Sequence, residues 1–267
     1  MTDSELLEAM IRAAAAAGRA VQQIYRAGFQ VRMKEDHSPV TDADQASEAL
    51  ILSALARCAP DIPVIAEESS GGAAGAVGTR EFFLVDPLDG TKEFIAHRGE
   101  FTVNIALVRA ATPVLGVVYA PADQRLYAGD APARHALRLI QDPFAQTAGP
   151  RERIHVRAVP PAGVTAVASR SHRSPETDAY LARYTVAEEV SIGSSLKFCL
   201  IAEGRADLYP RLGPTMEWDT AAGQAVLTAA GGRVCAPDGQ PLRYAKPGFR
   251  NSWFIASGTL EPLSIAA

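Results

Sequence analysis

The stretch Phe82-Phe83-Leu84-Val85-Asp86-Pro87-Leu88-Asp89-Gly90-Thr91-Lys92-Glu93-Phe94 constrains the fold more than any other part of the sequence. Four consecutive aromatic and branched apolar residues favour a strand, and that strand delivers Asp86 to its C-terminal end. Pro87 cannot continue a sheet ladder, so the chain bends there. Asp89, three residues on, can then return to the side of Asp86. Gly90 and Thr91 precede a short candidate helix whose first amides could face a phosphate. Two carboxylates beside such amides suit Mg²⁺-dependent phosphate chemistry, because Mg²⁺ takes hard oxygen ligands and shares them with substrate phosphate. Taken alone, the tetrad reads equally well as a solvated Asp-Pro-Leu-Asp-Gly turn.

Two further acidic features narrow the choice. Ile65-Ala66-Glu67-Glu68 places adjacent acids after another apolar strand, and Met216-Glu217-Trp218-Asp219-Thr220-Ala221-Ala222-Gly223 places Asp219 at the start of a helix. By itself Asp219 is better explained as a helix N-cap, and Glu67 and Glu68 as a solvated edge. Carboxylates ending three apolar segments would repel one another unless cations neutralise them, and the combination favours a metal site.

The rest of the chain predicts an α/β (α+β) protein. Residues 3–27 have apolar side chains at helical spacing, with Thr2 and Glu5 placed as a capping box and Gly28 as a stop; a second helix spans Asp42 to Cys58, ended by Pro60. The polar connection Lys34–Pro39 and the Gly/Ala/Ser-rich Ser69–Thr79 read as loops, the first a candidate mobile one. Strands are expected at Pro63–Ala66, Phe82–Val85, Thr102–Val108 and Val114–Tyr119. Between Asp130 and Arg151 no strand pattern is clear and His135–Gln141 reads as a short helix, so the boundary between an N-terminal half (1–135) and a C-terminal half (150–267) is placed there. The second half alternates strands (Val164–Ala168, Val186–Val190, Asp207–Tyr209) with helices (Pro175–Ala182, Ser194–Glu203, Thr220–Ala230), which indicates α/β layering.

With 26 Lys and Arg against 30 Asp and Glu, the net charge of −4 argues against a nucleic-acid polymer as the main partner. Cys58, Cys199 and Cys235 are too few and too scattered for a disulfide framework or CxxC site, so a reduced, cytoplasmic chain is expected, with attachment to the inner face of a membrane left open. No uncharged apolar run is long enough for a transmembrane helix.

Asp86-Pro-Leu-Asp-Gly-Thr91 and Trp218-Asp-Thr-Ala-Ala-Gly223 resemble the two signature motifs of the inositol monophosphatase superfamily of lithium-sensitive, Mg²⁺-dependent phosphomonoesterases, and Glu67-Glu68 its third metal element. Gly99–Ile105, Ser169-Arg-Ser-His172, Ser191–Cys199 and Tyr209–Thr215 are similar to its bacterial 3′(2′),5′-bisphosphate nucleotidase branch. The resemblance implies a layered αβαβα sandwich. It implies one Mg²⁺ held by Glu67, Asp86 and the Leu88 carbonyl, a second held by Asp86, Asp89 and Asp219, and in some members a third near Glu67 and Glu68. Asp44 and Thr91 match the water-activating pair, and Glu68 is placed with them as catalytic; from its own context Asp44 reads as a helix-start acid. Glu67, Leu88, Asp89, Gly90, Thr91 and Asp219 would line the phosphate that is hydrolysed. His172, Ser194, Lys197 and Arg211 match residues near the second phosphate, ribose or base.

The expected substrate is a small nucleotide bisphosphate, adenosine 3′,5′-bisphosphate or its phosphosulfate analogue, in nucleotide recycling beside sulfate assimilation. An inositol 1-phosphatase that also acts on fructose 1,6-bisphosphate is the alternative enzyme. A silent phosphate sensor would have lost an essential acid, yet Glu67, Asp86, Asp89 and Asp219 are all present. Monomer and homodimer both remain open.

Overall fold

The computed structural model describes residues 1–34, 37–69, 80–169 and 173–265. Helix α1 (Asp3–Ala27) starts at the expected capping box, with Thr2 N–H donating to Glu5 Oε2 at 2.7 Å, and ends at Gly28, whose φ is +96°. A two-stranded ribbon, β1 (Val31–Met33) and β2 (Pro39–Thr41), leads into α2 (Asp42–Cys58). There follow β3 (Val64–Ala66), β4 (Glu81–Asp89), α3 (Thr91–Ile95), β5 (Thr102–Arg109), β6 (Thr112–Ala120), β7 (Arg125–Asp130), β8 (His135–Ile140) and β9 (Arg151–Arg153). The seven strands β3 to β9 form one sheet in chain order, antiparallel except for the β3–β4 pair.

The second half contributes β10 (Val164–Ser169), α4 (Pro175–Leu181), β11 (Val186–Ile192), α5 (Leu196–Ala202), β12 (Leu208–Arg211), α6 (Ala221–Ala229), β13 (Arg233–Cys235) and β14 (Phe254–Ser257). Its sheet has the order β11-β10-β12-β14-β13. Among the described residues no helix is long and apolar enough to cross a membrane.

Burial explains the layering. Along β4 and β5, Phe83, Val85, Val103, Ile105 and Leu107 pack with α1 and α2, while Phe82, Leu84, Ala106 and Val108 face the opposite way. The large sheet is covered on both faces, and its strands therefore read as continuous apolar runs rather than alternating ones. The second face shares one core with α5, α6 and the inner side of the small sheet. Tyr180 and Leu181 of α4 cover the small sheet's outer side. The order is helices, sheet, helices, sheet, helix: the αβαβα sandwich that the resemblance implied.

Helix α6 is drawn onto the large sheet by two glycines. A Cβ on Gly116 of β6 would lie 2.4 Å from the Ala222 carbonyl, and one on Gly129 of β7 would lie 2.6 Å from the Val226 Cα. Only glycine admits this approach, which sets Asp219 and Thr220, just before α6, over the end of the sheet.

The expectations for residues 130–151 are corrected. His135–Gln141 forms a strand, not a helix: Leu137 and Leu139 enter the α1–α2 core from alternate positions, and β8 pairs with β7 along its length. The region 130–151 is thus not featureless. β8 and β9 carry the large sheet to Arg153, and we propose that the two halves join after that residue. Strands β1, β2, β7, β9, β13 and β14 went unread. Residues 70–79, within the expected Ser69–Thr79 loop, lie outside the described residues.

Candidate active site

The site begins with an irregularity in β4. In its pairing with β5, Asp86 faces Asn104 and Asp89 faces Thr102, so three steps on one strand oppose two on the other. The extra residue is a β-bulge at Pro87-Leu88, and it turns Asp86 and Asp89 to the same face of the sheet. The Leu88 N–H donates to Asp86 Oδ1 at 3.0 Å and fixes that carboxylate. Ser47 of α2 donates to the Pro87 carbonyl at 2.7 Å and holds the bulge from behind.

The acids around the bulge come from three other segments. Glu67 and Glu68 follow β3, and Lys34 lies between them, its Nζ 3.0 Å from Glu67 Oε1 and 2.6 Å from Glu68 Oε1. Glu48 of α2 accepts the Glu68 N–H at 2.9 Å. Asp44, 1 % exposed, closes a capping box on α2, accepting from Thr41 N–H at 2.7 Å and Thr41 Oγ1 at 2.6 Å. Its other oxygen lies 3.4 Å from Thr91 Oγ1, which is 3.1 Å from the Leu88 carbonyl. Asp219 accepts the Met216 N–H at 2.9 Å. It does not cap α6: the residue at that position is Thr220, because Asp219 turns back over its own segment.

Opposite the acids stand two buried cations. Lys197 on α5 donates to the Ser194 carbonyl at 2.5 Å and lies 5.4 Å from the centre of the Tyr209 ring. Arg211, at the end of β12, donates to the Pro214 carbonyl at 2.7 Å, and among the described residues its buried Nε has no partner. A cavity of about 340 Å³ spans the two groups, lined by Glu67, Asp89, Gly90, Thr91 and Asp219 at one end and by Ser194, Lys197, Tyr209 and Arg211 at the other. Gly90 belongs there because its φ is +91° and a Cβ would meet the Glu100 carbonyl at 2.9 Å.

Burial is the largest cause of the electrostatic shifts. It pushes Asp86 and Asp219 well above the usual carboxylate range, and neighbouring carboxylates push them further. Burial raises Glu67 to about 7 against the pull of Lys34, and raises Asp44 to about 6 against its two bonds from Thr41. Burial raises Asp89 as well, opposed by Lys197 and by Ser195. Burial lowers Lys197 to about 8, with Asp89 opposing and Arg211 assisting.

This is a cluster of anionic oxygen donors without enough positive charge. Lys34 already supplies an ammonium between two of the acids. The set fits hard divalent cations such as Mg²⁺: its side-chain donors are all carboxylate oxygens. Among the described residues, no three His, Cys, Asp or Glu side chains converge as a finished ligand cage. Each acid is held by a protein donor: Glu67 by Lys34, Asp86 by Leu88, Asp89 by Ser195 and Asp219 by Met216.

The sequence-derived residues Glu67, Glu68, Asp86, Leu88, Asp89, Gly90, Thr91, Asp44 and Asp219 come together here, and Ser194, Lys197 and Arg211 face them. Helix α5 is shorter than Ser194–Glu203 and starts after Ser194, whose φ is +51°, so Ser194 offers a bend rather than a helix terminus. His172 lies outside the described residues. Lys34, Ser47, Glu48 and Asn104 were missed. Each is an ordinary polar residue in its own segment, and only the tertiary arrangement shows its partner.

The chain resembles known proteins over nearly its whole length. The inositol monophosphatase family profile matches residues 2–262. The 3′(2′),5′-bisphosphate nucleotidase CysQ of Escherichia coli K12 is 45% identical over 92% of this chain and 99% of its own length. A protein of the same name from Buchnera aphidicola is 40% identical over 95% of this chain and 94% of its own length. Among solved structures, CysQ of Bacteroides thetaiotaomicron, described as a bacterial member of the inositol monophosphatase family, superposes with a TM-score of 0.83 at 40% identity, covering 96% of this chain and 98% of that one. An inositol monophosphatase from Anabaena gives 0.72 at 26% identity, over 97% and 92%. With the bulged carboxylate pair, the glycine-seated α6 and five alternating layers all found in one chain, fold, motifs and relatives agree: this protein belongs to the inositol monophosphatase family.

Proposed function

We propose that this protein is a 3′(2′),5′-bisphosphate nucleotidase, a phosphomonoesterase that hydrolyses adenosine 3′,5′-bisphosphate to AMP and inorganic phosphate with divalent cations. The observation that carries the reading is the two-ended pocket, with carboxylates at one end and Lys197 and Arg211 at the other. A second phosphate leaving water needs such cations. An inositol monophosphate has no group for that end, so the inositol phosphatase alternative leaves both cations unexplained. Relatives at 40–45% identity bear the nucleotidase name.

In this reading Glu67, Asp86, the Leu88 carbonyl, Asp89 and Asp219 hold two Mg²⁺ ions, and Lys34 supplies the charge between Glu67 and Glu68 that a third ion would bring. When bound, the ions make water more acidic and offset charge on the phosphate and the departing oxygen. With the Leu88 carbonyl, 3.1 Å from Thr91 Oγ1, given over to a cation, the Asp44 carboxylate at 3.4 Å would accept the Thr91 hydroxyl hydrogen. That leaves the Thr91 oxygen lone pairs facing the pocket, where they accept a hydrogen from water and aim its oxygen at phosphorus. Glu68, held by Lys34 and by Glu48 through its own N–H, keeps the Lys34 ammonium against the acids. Lys197 and Arg211 hold the distal phosphate, with Ser194 beside them, while Tyr209 supports the Lys197 ammonium.

Phosphate release with Mg²⁺ from adenosine 3′,5′-bisphosphate, inositol 1-phosphate and fructose 1,6-bisphosphate tests the reading, and the first should be preferred. Lys197→Ala removes a charge-assisted contact, so kcat/KM for the nucleotide should fall roughly tenfold or more. Inositol 1-phosphate hydrolysis should barely change. An equal fall for both substrates would assign Lys197 to the fold or the acidic end. Thr91→Ala should lower kcat with little rise in KM, because its hydroxyl orients water rather than binding substrate. Wild-type kcat in that variant would remove Thr91 from the chemistry.

A further inference from the structure

Ser195 occupies the cap position of α5, where a serine ordinarily turns its hydroxyl toward the backbone N–H groups of the first turn. It makes no such bond. Its Oγ instead lies 2.9 Å from Asp89 Oδ2, 2.7 Å from the Asp219 carbonyl oxygen and 2.9 Å from Asn104 Nδ2. The Asn104 amide donates to it and also reaches Asp89 Oδ2 at 3.3 Å, so the single hydroxyl hydrogen serves Asp89 or the Asp219 carbonyl. Ser195 and Asn104 are each 1 % exposed. One hydroxyl therefore joins the bulge of β4, strand β5, the start of α5 and the segment before α6.

The neighbours of Ser195 along the chain point elsewhere. Ser194 and Lys197 line the cationic end of the pocket, whereas Ser195 does not line it at all. A ligand that shifts the backbone at Ser194 shifts Ser195 with it, and the Ser195 hydroxyl contacts Asp89 or the Asp219 carbonyl. We infer that Ser195 is a positioning residue that links the two ends of the pocket: it sets the spacing of Asp89 and Asp219 and makes cation binding there respond to occupancy of the distal end. The inference rests on the proposed nucleotidase reading.

The test is calorimetric Mg²⁺ binding to the full chain, with and without saturating AMP. AMP carries only the phosphate that the distal end would hold. Partners that orient metal-binding groups are typically worth about 10–100-fold in metal affinity. Ser195→Ala should weaken Mg²⁺ binding roughly tenfold and should abolish the several-fold effect of AMP on Mg²⁺ affinity expected in wild type. Ser195→Thr, which keeps the hydroxyl, should retain both. If Ser195→Ala does not fold, Ser195→Cys, similar in size and a weaker donor, carries the same measurement. Wild-type Mg²⁺ affinity in a folded Ser195→Ala would overturn the inference, as would an AMP effect that persists in it or is missing in wild type. The nucleotidase reading is tested separately, by wild-type hydrolysis of adenosine 3′,5′-bisphosphate, and can fail or hold whichever way the Mg²⁺ titrations fall.

Discussion

Asp86→Asn is expected to abolish most of the Mg²⁺-induced rise in melting temperature and to lower turnover by orders of magnitude while the fold survives. Asp86 is 1 % exposed, and its charge is opposed first by burial and then by Glu67, Asp89 and Asp219. A cation that binds only the folded state stabilises it by mass action, about 2.7 kcal/mol at a hundredfold excess over Kd. The amide is nearly isosteric, so the Leu88 N–H keeps its acceptor while the charge is lost. Without added metal the variant should melt at or above the wild-type temperature, because one repelling charge is gone. Thermal melts with and without Mg²⁺ separate the two effects. A wild-type Mg²⁺ response in Asp86→Asn would remove Asp86 from the cation site.

The second large effect is expected far from the acids. Asp207→Ala should destabilise the protein by about 3 kcal/mol in a denaturant titration, the lower end of the range for breaking a buried ion pair. The Asp207 side chain is 2% exposed and accepts a two-pronged bond from Arg157, at 3.0 and 2.8 Å, together with the Thr165 N–H at 2.7 Å. Arg157 keeps 32% exposure, so water partly compensates it and the upper end of the range does not apply. The clamp matters because, among the described residues, the register of β10 and β12 is a single pair, Ala166 and Leu208, flanked by the Asp207 N–H donating to the Thr165 carbonyl at 2.9 Å. The Asp207 carboxylate reinforces that short join, and β12 carries Tyr209 and Arg211 into the pocket. Asp207→Asn, which retains an acceptor for Thr165, should lose clearly less. Equal losses in the two variants would show that the charge, rather than the backbone bond, carries the clamp.

What could be read in the sequence was what is local. Thr2 and Glu5 announced α1, and the run Phe82–Val85 announced a strand, because caps and apolar runs act through neighbours in the chain. Asp86, Asp89 and Asp219 were legible as a set because like charges at the ends of apolar segments need a shared explanation. β8 was misread because Arg138 and His135 interrupt its apolar pattern; their places follow from pairing with β7, and Arg138 finds Glu203, 65 residues away, at 2.9 Å. Lys34 looked like part of a polar loop, since its partners Glu67 and Glu68 lie 33 and 34 residues on. Asp219 as an N-cap was a sound local inference, overridden by its bond from Met216.

The bulge in β4 also has a meaning in the arithmetic of insertions and deletions. Along an unbroken strand, side chains separated by an odd number of steps fall on opposite sides. Asp86 and Asp89 are three apart and share a side only because one surplus residue reverses the parity. Removing Pro87 or Leu88 would leave the two acids in ordinary alternation two steps apart and erase the kink that lifts them from the ladder. Adding a residue would send Asp89 toward the α1–α2 core. The pair is thus encoded as a count as much as a composition, which a comparison of residue types alone would not detect.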